Sequence, residues 1–75
     1  MTIDSAGDND TYSIIEIVGK DSMGWEYAVK NAIEEASENL RDLRIARVKE
    51  LDVKIVNGRI SEYRAKIDLS IKDEK

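Results

Sequence analysis

Seventy-five residues with 16 Asp and Glu against 12 Lys and Arg, a net charge of −4, make one small domain. Cysteine and histidine are both absent, which excludes disulfide stapling, thiolate metal sites and Cys or His nucleophile chemistry. The negative balance disfavours nucleic acid and anionic membranes as partners. A domain of this size buries only about 60–65% of the surface its unfolded chain exposes, which leaves oligomerisation as its route to stability.

Residues 1–10 carry Asp4, Asp8 and Asp10 among small turn formers and no basic residue, and are expected to be a disordered tail. They have no cationic flank followed by an apolar run, and no later stretch approaches the ~20 apolar residues of a membrane span. A soluble, cytoplasmic protein is expected. Thr11 to Val18, TYSIIEIV, is rich in β-branched residues and reads as a first strand. Isoleucine lies on both of its faces: Ile14 beside Tyr12, Glu16 and Val18, and Ile15 and Ile17 beside Ser13. One helix covers one face, so the other is expected to meet a second subunit.

The pattern breaks at Gly19 to Gly24, where Asp21 or Ser22 is expected to cap a helix. That helix is the element the chain is built around. Trp25, Ala28, Val29, Ala32, Ile33, Ala36 and Leu40 recur at steps of three and four, one apolar stripe running to about Asp42. Its alanines leave room for a backbone to come close, so its partner is a sheet. Arg41 and Arg44 are expected near its negative end.

Arg44 to Val56 reads as a second strand. Ala46 and Val48 share one phase while Leu51, Val53 and Ile55 share the other; a bulge around Lys49-Glu50, or a strand that changes its neighbour halfway, would produce that slip. Asn57-Gly58 is the strongest hairpin signal, because both residues tolerate the positive φ of a type I′ turn. The third strand, Arg59 to Lys72, alternates cleanly, with Tyr63, Ala65, Ile67, Leu69 and Ile71 on its apolar face. Residues 73–75 are a charged tail. The fold class is α+β in the order β-α-β-β, one domain over residues 11–72.

Glu50 and Asp52, two apart on a strand, point to one face roughly 7 Å apart at ~3.4 Å per residue. Calcium takes six to eight oxygen ligands at about 2.3–2.6 Å, so backbone, water or symmetry-related copies must complete such a site. Glu16 and Asp68 are further carboxylates that an intersubunit axis would gather. The competing reading is a solvated face balanced by Arg47, Lys49 and Lys66. Trp25 reads either as a ligand-stacking ring or as the end of the helix stripe, packed under the sheet. Tyr12 and Tyr63, placed on opposite outer strands, read as core or interface. Arg64 with Arg44 and Arg47 suits an anion patch, or salt bridges to Glu62, Asp68 or a neighbour's Glu16. General acid–base catalysis has no obvious agent here, and the Gly-x-Gly-x-x-Gly frame of a phosphate loop is missing. No enzyme is expected.

The segments IIEIVGKDSMGWEYAVKNAIEEA and LRIARVKELDVKIVNGRI, in this order of elements, resemble the dodecin family over about residues 11–72. The resemblance implies a three-stranded antiparallel sheet, its third strand in the middle, wrapped around the helix. It further implies a hollow homododecamer that holds a small ligand. Flavin-binding members stack a strand-two Trp on the isoalloxazine ring and use a strand-three Gln to hydrogen-bond it. The matching positions here are Ile45 and Arg64, which offer no π face and no acceptor. Trp25-Glu26, Arg44-Ile45-Ala46-Arg47-Val48 and Tyr63-Arg64 are more similar to the subgroup called calcium dodecin. That likeness implies calcium at Glu50, Asp52 and Glu16 before flavin, with flavin held through altered contacts, or a purely structural shell, as the alternatives.

Overall fold

The structure, a computed structural model, describes residues 11–73; the tail expected at 1–10 lies outside the described residues, and of the one expected at 73–75 only Asp73 is described, as the last residue of a strand. The elements run β1 (Thr11–Asp21), α1 (Trp25–Ser37), β2 (Leu43–Val56) and β3 (Arg59–Asp73). The three strands form one antiparallel sheet in the order β1-β3-β2, so the last strand is central. The 15 residues of β3, at ~3.4 Å each, account for a molecule 53 Å long and only 14 Å thick.

The α1 stripe lies on one face of the sheet. Ala28, Ala32, Ala65, Ile67 and Leu69 are its buried residues, with Ile17, Val29 and Ala46 packed against them. The alternation of β3 holds as expected. In β2 the expected slip is a register shift between Val48 and Glu50. It lets Val48 face Ile67 and Leu51 face Ala65, so the two apolar phases of the strand both lie opposite buried β3 residues. Asn57 and Gly58 take φ 52° and 75°, the paired positive angles of a type I′ hairpin.

Several boundaries differ from expectation. β1 runs on through Gly19, Lys20 and Asp21. Gly19 is no breaker: a Cβ there would lie 2.0 Å from the Ala28 carbonyl oxygen, so the glycine is where α1 rests on the strand. Neither Asp21 nor Ser22 caps the helix. Gly24 occupies the N-cap without a side-chain bond. Asp21 instead accepts from the Met23 amide (2.7 Å) and from Asn31 Nδ2 (3.0 Å), tying the loop to the helix flank.

The helix ends at Ser37, five residues early. Ser37 Oγ donates to the Glu34 carbonyl, the amides of Glu38 and Asn39 tighten onto Glu35 and Ala36, and Asp42 turns the chain at φ 57°. Arg41 and Arg44 are therefore not in its last turn. Tyr63 stands on the central strand, not an outer one, and faces α1; Tyr12 is exposed on the far side. That far side keeps Ile14 at 64% and Ile45 at 63% exposure. Among the described residues nothing in the protomer covers it.

Candidate functional site

The face of the sheet away from α1 carries the candidate residues in three cross-strand rows. β register places Glu16, Asp68 and Arg47 in one row, Val18, Lys66 and Glu50 in the next, and Lys20, Arg64 and Asp52 in the third. The β2 register shift leaves Lys49 without a partner position on β3. Its side chain crosses the sheet to Glu16 Oε2 at 3.2 Å and Asp68 Oδ1 at 3.8 Å, as bulges commonly re-aim a side chain.

Each proposed carboxylate is thus occupied by a cation. Arg64 grips Asp52 with both prongs, Nε to Oδ1 at 2.7 Å and Nη2 to Oδ2 at 2.9 Å. Lys66 reaches Glu50 at 3.3 Å. Within the protomer the expected partners of Arg64, Glu62 and Asp68, give way to Asp52, because Asp52 is its register partner across β2 and β3. Hydrogen bonding from Arg64 is the chief cause that holds the Asp52 carboxyl below its ordinary value. Hydrogen bonding to Glu16, then the charge of Asp68, raises Lys49. Apart from Asp68, these side chains keep two-fifths or more of their surface in water.

Val18, Glu50, Asp52, Arg64 and Lys66 line a shallow cavity of about 180 Å³. Glu50 and Asp52 share it, as their spacing predicts. Glu16 does not join them: its row is four β3 residues from that of Asp52, about 14 Å along the strand. No group of three acidic residues converges among the described residues. The oxygen donors have the right chemistry for calcium, but one protomer supplies too few in one place to fill its shell.

The two residues that the resemblance sets at flavin positions, Ile45 and Arg64, are also apart. Ile45 lies opposite Ser70 and Arg64 lies six residues further along β3, about 20 Å away. Ile45 lines a separate open cavity of about 480 Å³ with Tyr12, Arg44 and Ser70. Arg44 and Arg64 accordingly form no common anion patch within one protomer.

Trp25 is neither a free stacking ring nor fully packed away. It remains 39% exposed, meets Tyr63 edge-on at 5.2 Å and 82°, and donates its Nε1–H to the Asp52 carbonyl at 3.0 Å. Sequence reasoning missed this link, and the cross-sheet reach of Lys49. The lone tryptophan at the helix start and the phase slip at Lys49 were the available signals.

The profile of the dodecin family matches residues 11–73. Calcium dodecin of Mycobacterium tuberculosis is 34% identical over 61 residues, covering 81% of this chain and 86% of its own. Its crystal structure, described as calcium-chelating with a novel calcium-binding site, superposes with a TM-score of 0.77 at 35% identity, over 85% and 91% of the two chains. The dodecin of Streptomyces coelicolor superposes more closely, with a TM-score of 0.88 at 31% identity over 91% and 97%. With the β-α-β-β order, the central third strand and a family match along the whole described domain, the chain belongs to the dodecin family, whose members bind small ligands and are not enzymes.

Proposed function

We propose that this protein forms a hollow homododecamer in the cytoplasm and binds calcium in preference to flavin, at sites that adjoining protomers complete. The observation that carries the reading is the state of the two flavin positions. Ile45 has no ring to stack, and Arg64, which grips Asp52, offers donors but no acceptor. The uncovered face around Ile14 and Ile45 supports assembly. The carboxylates Glu50, Asp52 and Glu16, together with the calcium-chelating relative, support the ion. Since one protomer gathers too few oxygens, a neighbour supplies the rest. Calcium must draw Asp52 from Arg64 and Glu50 from Lys66, which costs little, because solvent-exposed ion pairs are weak.

Calorimetric titration of the chelator-treated protein tests this. Calcium should give a saturable heat that Glu50→Gln with Asp52→Asn abolishes, while FMN and riboflavin give none. Flavin binding with quenched fluorescence, or heat from neither ligand, contradicts the reading. One observation favours flavin as a second reading: the cavity beside Ile45 has the ring of Tyr12 and the charge of Arg44 on its wall. In that case the protein purifies yellow, and Tyr12→Leu bleaches it.

A further inference from the structure

Asp52 is held from both faces of the sheet. On the outer face Arg64 clamps its carboxylate; on the α1 face the Trp25 indole N–H holds its carbonyl across 27 residues of sequence. The same indole rests edge-on against Tyr63, which precedes Arg64 on β3 and therefore points to the opposite face. One ring thus touches the backbone of the acid and the chain neighbour of the base. Asp52 also needs holding. It lies on an edge strand, between register shifts at Val48/Glu50 and Lys54/Ile55, where ladder pairing alone constrains the backbone weakly.

We infer that Trp25 is the positioning residue of the Asp52–Arg64 pair: its indole N–H pins β2 so that the Asp52 carboxylate stays aimed at the outer-face cavity. The link runs both ways. Whatever moves Asp52 or Arg64, a bound cation included, changes the surroundings of the indole on the far side of the sheet. The geometry stands by itself, and only the consequence for calcium rests on the function proposed above.

The chain has one tryptophan, so each protomer gives one indole N–H resonance, readable in the full-length protein without substituting Trp25. Arg64→Gln and Asp52→Asn should each move that resonance. Lys49→Gln, which loosens the separate Glu16 contact on the same face, should leave it in place. If Arg64→Gln and Asp52→Asn leave the indole as undisturbed as Lys49→Gln does, the inference is wrong. A second arm uses Trp25→Phe, which keeps an aromatic ring and loses the donor. With the assembly mass unchanged, it should weaken calcium binding about tenfold, the lower end of what partners of metal-holding side chains contribute. Parent-like calcium affinity in Trp25→Phe contradicts the inference. Absence of calcium binding in the parent overturns the calcium reading, and the resonance then decides the role of Trp25.

Discussion

Gly19→Ala should cost this protein a large share of its stability. The added Cβ would lie 2.0 Å from the Ala28 carbonyl oxygen, 2.9 Å from the Ala28 carbonyl carbon and 2.8 Å from the Ala32 Cβ, where real Cβ contacts stay beyond 3.0 Å. The helix must therefore retreat by about 1 Å, and no side-chain rotation relieves it, because the nearest atom is backbone. A gap of that size over Ala28, Ala32, Ala65 and Ile67 forfeits a quarter to a half of the dispersion energy across it. Overpacking of this kind costs about 1–3 kcal/mol, and the backbone clash puts it near the top; alanine returns ~0.5–1 kcal/mol in backbone entropy. The net loss is about 2 kcal/mol, against a total of about 4–11 kcal/mol for 75 residues. At about 4–8 °C per kcal/mol the melting temperature should fall by roughly 10 °C or more. Denaturation followed by circular dichroism, at equal protomer concentration because assembly is linked to folding, measures the loss. Adding Ala32→Gly should not restore it, since the Ala28 contact remains. A Gly19→Ala protein within about 0.5 kcal/mol of the parent, inside the spread of neutral surface changes, would show that α1 does not sit on that glycine.

Gly58→Ala tests backbone strain alone: nothing lies within 4 Å of the added Cβ, but φ is +75°, so the expected loss is about 1–2 kcal/mol by the same assay. The Asp52–Arg64 pair should make acid stability depend on pH in a defined direction. Because the Asp52 carboxyl titrates below 3.8 in the folded protein, its contribution is present above that value and is lost as pH falls through the depressed one. The stability difference between parent and Arg64→Gln should shrink in that window. Lys49, raised above 10.5, gives the opposite case, stabilising below that value and losing its contribution as pH rises through the raised one; comparing parent and Lys49→Gln in alkali checks it. Ile45→Trp with Arg64→Gln introduces the side chains that the resemblance to flavin-binding dodecins implies for these positions, so FMN fluorescence should become quenched on mixing. A double variant that still ignores FMN would mean that those two positions do not govern flavin choice.

Much of the fold was legible because its signals are local. The alternation through Tyr63, Ala65, Ile67 and Leu69, the Asn57-Gly58 turn and the phase slip at Lys49 each name a backbone state from a few neighbouring residues. What went astray depended on contacts from elsewhere in the chain. Gly19 reads as punctuation until α1 is laid across it. The helix end has no glycine or proline to mark it, since Ser37 closes the last turn through its hydroxyl and Asp42 adopts the left-handed angle that glycine usually takes. The site was legible only in part. The two-residue spacing of Glu50 and Asp52 correctly put them on one face. That Asp52 faces Arg64, while Glu16 belongs with Lys49, follows from the β2–β3 register and its shift, which no spacing within a single strand encodes. The apolar residues left on the outer face were foreseen from Ile14 and Ile15 lying on opposite sides of one strand.

Assembly underlies every ligand site proposed, because the described residues of the protomer leave one face of its sheet uncovered and bring too few oxygens together. Light scattering coupled to size exclusion measures it most directly, on purified protein at micromolar concentration. A mass near 100 kDa, a closed dodecamer of 8.5 kDa chains, is predicted; a folded species that stays at 8.5 kDa would contradict the account.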